Sequence, residues 1–175
     1  MTDWRESFLG TLGRAGLVLG VLLAILLLSA VPLRLGGFGE LRPAFALMAV
    51  YYWAILRPAP PLVIFVFGIV LDVISNYPLG MTPLALLGAQ VLTKGQRKFL
   101  HGQPFPVIWA GFAVVALGAT LAQWGLFSLM ARGFVPLRAP MAGAALSALL
   151  FPLAVLPLAA VHRALEGRGD EGGSL

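Results

Sequence analysis

Cysteine is absent from this 175-residue chain, and there are only seven acidic residues and two histidines. The lack of cysteine excludes disulfides, thiolate nucleophiles and cysteine-ligated metals, and leaves the redox compartment open. His101 and His162 stand at the ends of apolar runs, so a histidine metal centre is not expected. No paired-carboxylate site, no Ser/His/Asp set and no phosphate-cradling glycine loop before Lys-Ser/Thr can be found. These absences predict a protein that is not an enzyme and carries no cofactor.

What is present is apolar. Hydrophobic residues make up 59% of the chain and charged residues 11%. The mean hydropathy is +0.93. These values lie outside the range of soluble domains and predict an integral membrane protein. The net charge of +5 comes from Lys and Arg scattered as short flanks between apolar runs, a pattern of topology rather than of nucleic-acid binding.

Six runs are readable: Ala15–Leu33, Pro43–Leu56, Leu62–Asn76, Leu79–Thr93, Phe105–Ala131 and Pro140–Val161. They predict an all-α six-transmembrane-helix bundle over residues 1–166 and a disordered cytoplasmic tail over 167–175, whose Gly and charge content does not support a core. The three central runs are short, since a helix of about 15 residues covers only ~22 Å of a ~30 Å hydrocarbon layer. A five-span alternative merges two of them. Arg57-Pro-Ala-Pro-Pro61 and Tyr77-Pro-Leu-Gly80 mark turns, and Lys94-Gly-Gln-Arg97-Lys98 is expected to end run four in a solvated loop. The run at Ala15–Leu33 is too long for a signal core and lacks a good cleavage site, so it is read as a retained helix.

With six spans, Lys and Arg divide eight to four between the two sides, which puts both termini in the cytoplasm. Trp53, Trp109 and Trp124, with Tyr51 and Tyr52, are expected at membrane boundaries. Gly16/Gly20 and Gly143/Ser147 have the small-xxx-small spacing of helix contacts, either within the bundle or toward a partner.

Asp72 is the only acidic residue between Glu40 and Glu166, and it ends an apolar run. An Asp at a helix centre costs roughly 2.5–3.5 kcal/mol to insert, so it must pair, cap a backbone end, bind a partner or titrate. Gly68 and Asn76, four residues to either side, are expected on its face, with Gly68 admitting a close neighbour. Arg42 is the expected cation, followed by Pro43 in the first helical turn.

Arg42-Pro43, Tyr51-Tyr52-Trp53, the prolines after Arg57, and Gly68-x-x-x-Asp72 followed by Pro78-Leu79-Gly80 together resemble the MreD family of bacterial rod-shape determinants. The resemblance is strongest over residues 42–98. It implies a fold similar to the substrate-binding subunits of energy-coupling-factor vitamin transporters and site residues Arg42, Pro43, Gly68, Asp72, Pro78 and Gly80. It further implies a non-enzymatic scaffold of the cell-elongation complex in the inner membrane. That scaffold would bind MreC, act with MreB, RodA and a penicillin-binding transpeptidase in lateral peptidoglycan synthesis, and contact membrane lipid but no nucleic acid. The alternative is a subunit that binds a vitamin-like solute for transport, with Asp72 and Tyr52 at the ligand.

Overall fold

The computed structural model describes residues 20–21, 23–29, 33–35, 39–41, 43–56, 59–100, 102–131 and 136–166. The first helix, α1, is described at residues 20–21 and 23–29. Leu33–Leu35 (β1) and Gly39–Leu41 (β2) pair antiparallel as a short hairpin, so run one does not remain helical to Leu33. Then follow α2 (Phe45–Leu56), α3 (Pro61–Ser75), α4 (Met81–Leu100), α5 (Phe105–Met130) and α6 (Arg138–Glu166). Among the described residues the regular structure is thus helical apart from one hairpin. The expected tail at 167–175 and Gly16 lie outside the described residues.

α2 is the centre of the bundle. It is apolar on every face, as a helix enclosed by others must be, and eight of its twelve residues are buried. It packs against α4 and α6 and touches α5, while α3 packs on α4, and α4 and α6 both pack on α5. α5 and α6 are long and apolar enough to cross a membrane. They turn large apolar side chains outward, among them Val114, Leu129, Leu149 and Leu156. That is the reverse of a soluble core helix.

Tyr51 was expected in a boundary belt, but it is completely buried among α2, α5 and α6. Its ring meets Phe112 and Phe151 edge-on at centroid distances of 5.5 and 5.8 Å, and those two stack at 4.2 Å. Its hydroxyl donates to the Ile108 carbonyl at 3.0 Å. A Cβ on Gly111 would lie 2.5 Å from that hydroxyl, so the glycine makes room for the phenol.

The expected loop at Lys94–Lys98 is helical, because α4 continues to Leu100. The continuation positions Arg97 beside the end of α2. Its Nε donates to the Ile55 carbonyl at 2.8 Å and its Nη2 to the Leu56 carbonyl at 2.6 Å. The last carbonyls of a helix have no partner of their own, and Pro60 offers no N–H to Leu56. A planar cationic fork at a helix C-terminus satisfies both the hydrogen bonds and the dipole. Arg97→Ala is therefore expected to destabilise the protein by about 2–4 kcal/mol, the scale of one or two bonds to a charged group. Arg97→Lys should retain part of that. Thermal unfolding in detergent micelles measures both, and equal stability of all three proteins would show the contact to be incidental.

Candidate functional site

The turn between α3 and α4 is organised around Asp72, which is fully buried. Its Oδ2 accepts the Gly80 N–H at 2.8 Å, and the Thr82 N–H lies 3.1 Å from Oδ1 and 3.3 Å from Oδ2. Its main-chain carbonyl accepts the N–H groups of Asn76 and Tyr77, the latter at 2.9 Å. One residue thus closes the C-terminus of α3 through its backbone and the N-terminus of α4 through its side chain.

The start of α4 can be accounted for donor by donor. The Met81 N–H goes to the Pro78 carbonyl at 3.3 Å, Thr82 goes to Asp72, Pro83 has no N–H, and Leu84 goes to the Gly80 carbonyl at 3.2 Å. Every orphan of the first turn is therefore met inside the protein. This is the condition that a low-dielectric, water-poor surrounding imposes on a helix end. A carboxylate is also the favoured side chain at the positive end of the α4 dipole.

Gly68, one turn before Asp72, determines how near the two helices come. A Cβ there would lie 2.7 Å from the Pro83 Cα and N atoms and 2.8 Å from its Cγ. Gly80 has φ +96°, the left-handed region that favours glycine, and it reverses the chain into α4. Pro78 contributes its carbonyl to the same turn. Four of the six residues singled out by sequence, Gly68, Asp72, Pro78 and Gly80, meet in this one turn.

The other two do not join them. Pro43 is buried, and it precedes the helix rather than standing in its first turn. The Ala44 carbonyl accepts the Met48 N–H, which makes Ala44 the residue that opens α2. Arg42 lies outside the described residues, as does its expected pairing with Asp72. Asn76 is not on the Asp72–Gly68 face: it leaves the helix with φ 56° and is exposed, because α3 has to end before Pro78. Asp72 and Tyr52, the ligand residues of the transporter alternative, line none of the clefts described below.

Three further side chains answer backbone groups of other segments of the bundle. Ser147 of α6 accepts the Ala44 N–H at 2.9 Å and donates to the Gly143 carbonyl at 2.7 Å, tying the start of α2 to α6. Gln90 of α4 donates to the Ala59 carbonyl at 2.7 Å. Trp109 of α5 donates its indole N–H to the Ala148 carbonyl at 2.7 Å. That carbonyl has no helical partner because Pro152, four residues on, lacks an N–H. The proline was a readable signal for an orphaned carbonyl; which side chain would reach it was not readable. Gly20, by contrast, has open space around its Cβ position among the described residues, so its small-residue spacing is not used for close packing there.

The model of the family described as rod shape-determining protein MreD matches residues 11–160. No curated protein and no solved structure matches the chain. The matched stretch contains all six described helices in whole or in large part, including the Gly68–Asp72 turn and the outward-facing apolar helices, and on this ground the chain belongs to the MreD family of rod-shape-determining membrane proteins.

Proposed function

We propose that the protein is a non-enzymatic inner-membrane scaffold of the cell-elongation complex, which binds the membrane helix of MreC. With MreB, RodA and a penicillin-binding transpeptidase, it would hold lateral peptidoglycan synthesis in register with the cytoplasmic filament. In this reading all six helices cross the membrane with both termini in the cytoplasm, in a bundle similar to the substrate-binding subunits of energy-coupling-factor transporters. The eight-to-four division of Lys and Arg supports that orientation.

The observation that carries the reading is the outer face of α3. This helix lies at the edge of the bundle, packed on α4, and leaves Leu62, Val66, Val70 and Val73 exposed at 72, 54, 40 and 63%. The spacing of four, four and three residues puts them on one stripe, the surface a partner helix takes. Gly68 and Asp72 hold the opposite face against α4, so the stripe keeps a fixed bearing. The absence of cysteine allows a clean test. Single cysteines at Leu62, Val66 and Val73 should crosslink to a cysteine-bearing MreC helix in native membranes, whereas one at Leu156 of α6 should not. Crosslinks from Leu156 and none from the stripe would sink the proposed face.

A further inference from the structure

Three clefts meet at the end of the bundle where α2, α4 and α6 begin. The first, about 130 Å³, is lined by Ser29, Pro43, Thr82 and Thr120. The second, about 300 Å³, lies among α2, α5 and α6 and is lined by Thr120, Trp124 and Ser147. The third, about 310 Å³, is an almost wholly apolar groove between α4 and α5, walled by Ala85, Gly88, Leu92, Gly118, Ala122 and Leu126. Gln123 borders all three. It is half-buried, and its amide makes no hydrogen bond within the described residues. The Ser29 Oγ is buried and has no hydrogen-bond partner among the described residues.

Taken together these surfaces are amphipathic. A hydrogen-bonding region carrying an amide and hydroxyls, with no charged side chain in its described lining, opens into a groove with small-residue walls. A buried polar group left unsatisfied, as the Ser29 Oγ is among the described residues, costs about 1–3 kcal/mol, which favours an occupant that offers a hydrogen-bonding oxygen to this region. An apolar groove continuous with such a region fits an acyl chain whose ester end lies at Gln123.

We propose that this composite site binds one membrane glycerolipid, with an acyl chain between α4 and α5 and its glycerol-ester region hydrogen-bonded at Gln123. The site is on the other side of α4 from the α3 stripe, so it stands apart from the partner face proposed above. Side chains added at Gly88 and Gly118 enter open space, since a Cβ at either meets nothing within 4 Å, and the substitutions therefore fill the groove without disturbing the fold.

The test is native mass spectrometry of the purified full chain in detergent, titrated with palmitoyl-oleoyl phosphatidylethanolamine. The wild type is expected to retain one lipid in preference to further adducts. The double variant Gly88→Leu/Gly118→Leu should lose that adduct by about tenfold in affinity, and Gln123→Ala should weaken it by a smaller factor. Gly20→Leu, also in open space but away from the groove, should behave as wild type. Unaltered melting temperatures would show that the groove variants fold. No discrete adduct on the wild type, or an adduct indifferent to both the groove and Gln123 variants, would overturn the proposal. So would loss of a co-purifying membrane protein with lipid retention unchanged, which would assign the groove to a polypeptide.

Discussion

Asp72→Ala is expected to be among the most damaging single substitutions in the chain, lowering the unfolding free energy by about 2–5 kcal/mol. The figure comes from two main-chain donors, Gly80 and Thr82, left without their acceptor in a part-buried turn at roughly 1–3 kcal/mol each. Asp72→Asn should fall between alanine and wild type: its single carbonyl oxygen can take one donor, while its amide N–H₂ turns a donor toward the other. Asp72→Glu should not rescue, since the longer side chain has to fit where Gly68 has already brought the helices together. Thermal unfolding of the purified variants gives the order directly. In cells it would be read as loss of protein from the membrane together with rounding. An Asp72→Ala protein as stable as wild type would show that the α4 start does not depend on this carboxylate.

The same carboxylate shows how far sequence reasoning reaches. A lone acid in an apolar run had to be answered by something, and a glycine four residues before it had to admit something close; both inferences need only the periodicity of a helix. Capping a backbone end was one of the answers the sequence left open beside a charge pair; choosing between them needed the fold. Arg42 was the natural partner by charge, yet the described bonds of the carboxylate go to the backbone of the next helix, ten residues or fewer along the chain. Arg97 was illegible for a related reason. A stretch with three cations in five residues reads as solvated unless one knows that the unpaired carbonyls of α2 lie beside it. Tyr51 was misread because it is identical in kind to its neighbour Tyr52, and only the approach of Phe112 and Phe151 separates a core residue from a boundary one.

Asp72, Arg97, Ser147 and Trp109 form one device rather than four details. α2 spans about 18 Å and α3 about 22 Å at 1.5 Å per residue, both less than the ~30 Å of an apolar layer. In the proposed six-span reading, short helices leave their ends, with up to four orphan donors or acceptors each, at depths where water does not serve them. In this bundle a neighbouring helix supplies the missing group: α6 opens α2, α4 closes α2, α3 opens α4, and α5 covers the proline gap in α6. The polar side chains of the interior are largely committed to these bonds. That favours a rigid bundle over a relay of titrating groups, which requires several ionisable residues in series.

Gly68→Ala tests the rigidity of that arrangement. A methyl 2.7 Å from the Pro83 main chain finds no flexible side chain to displace, so α3 and α4 have to separate. Overpacking of this kind costs about 1–3 kcal/mol, and Gly68→Val should cost more. The separation also draws Asp72, one turn along the same face, away from Gly80 and Thr82, so the two sites are not independent. In a double-mutant cycle, Gly68→Ala combined with Asp72→Ala should destabilise by less than the sum of the single effects, with a coupling of roughly 0.5–3 kcal/mol. A cysteine on the outer face of α3 offers a second readout: at Val66 it should lose its crosslink to the proposed MreC helix in the Gly68→Ala background even where the protein level is restored by lower growth temperature. Strict additivity in the cycle, together with an unchanged Val66 crosslink, would mean that the glycine only relieves a local contact and that the bearing of α3 is set elsewhere.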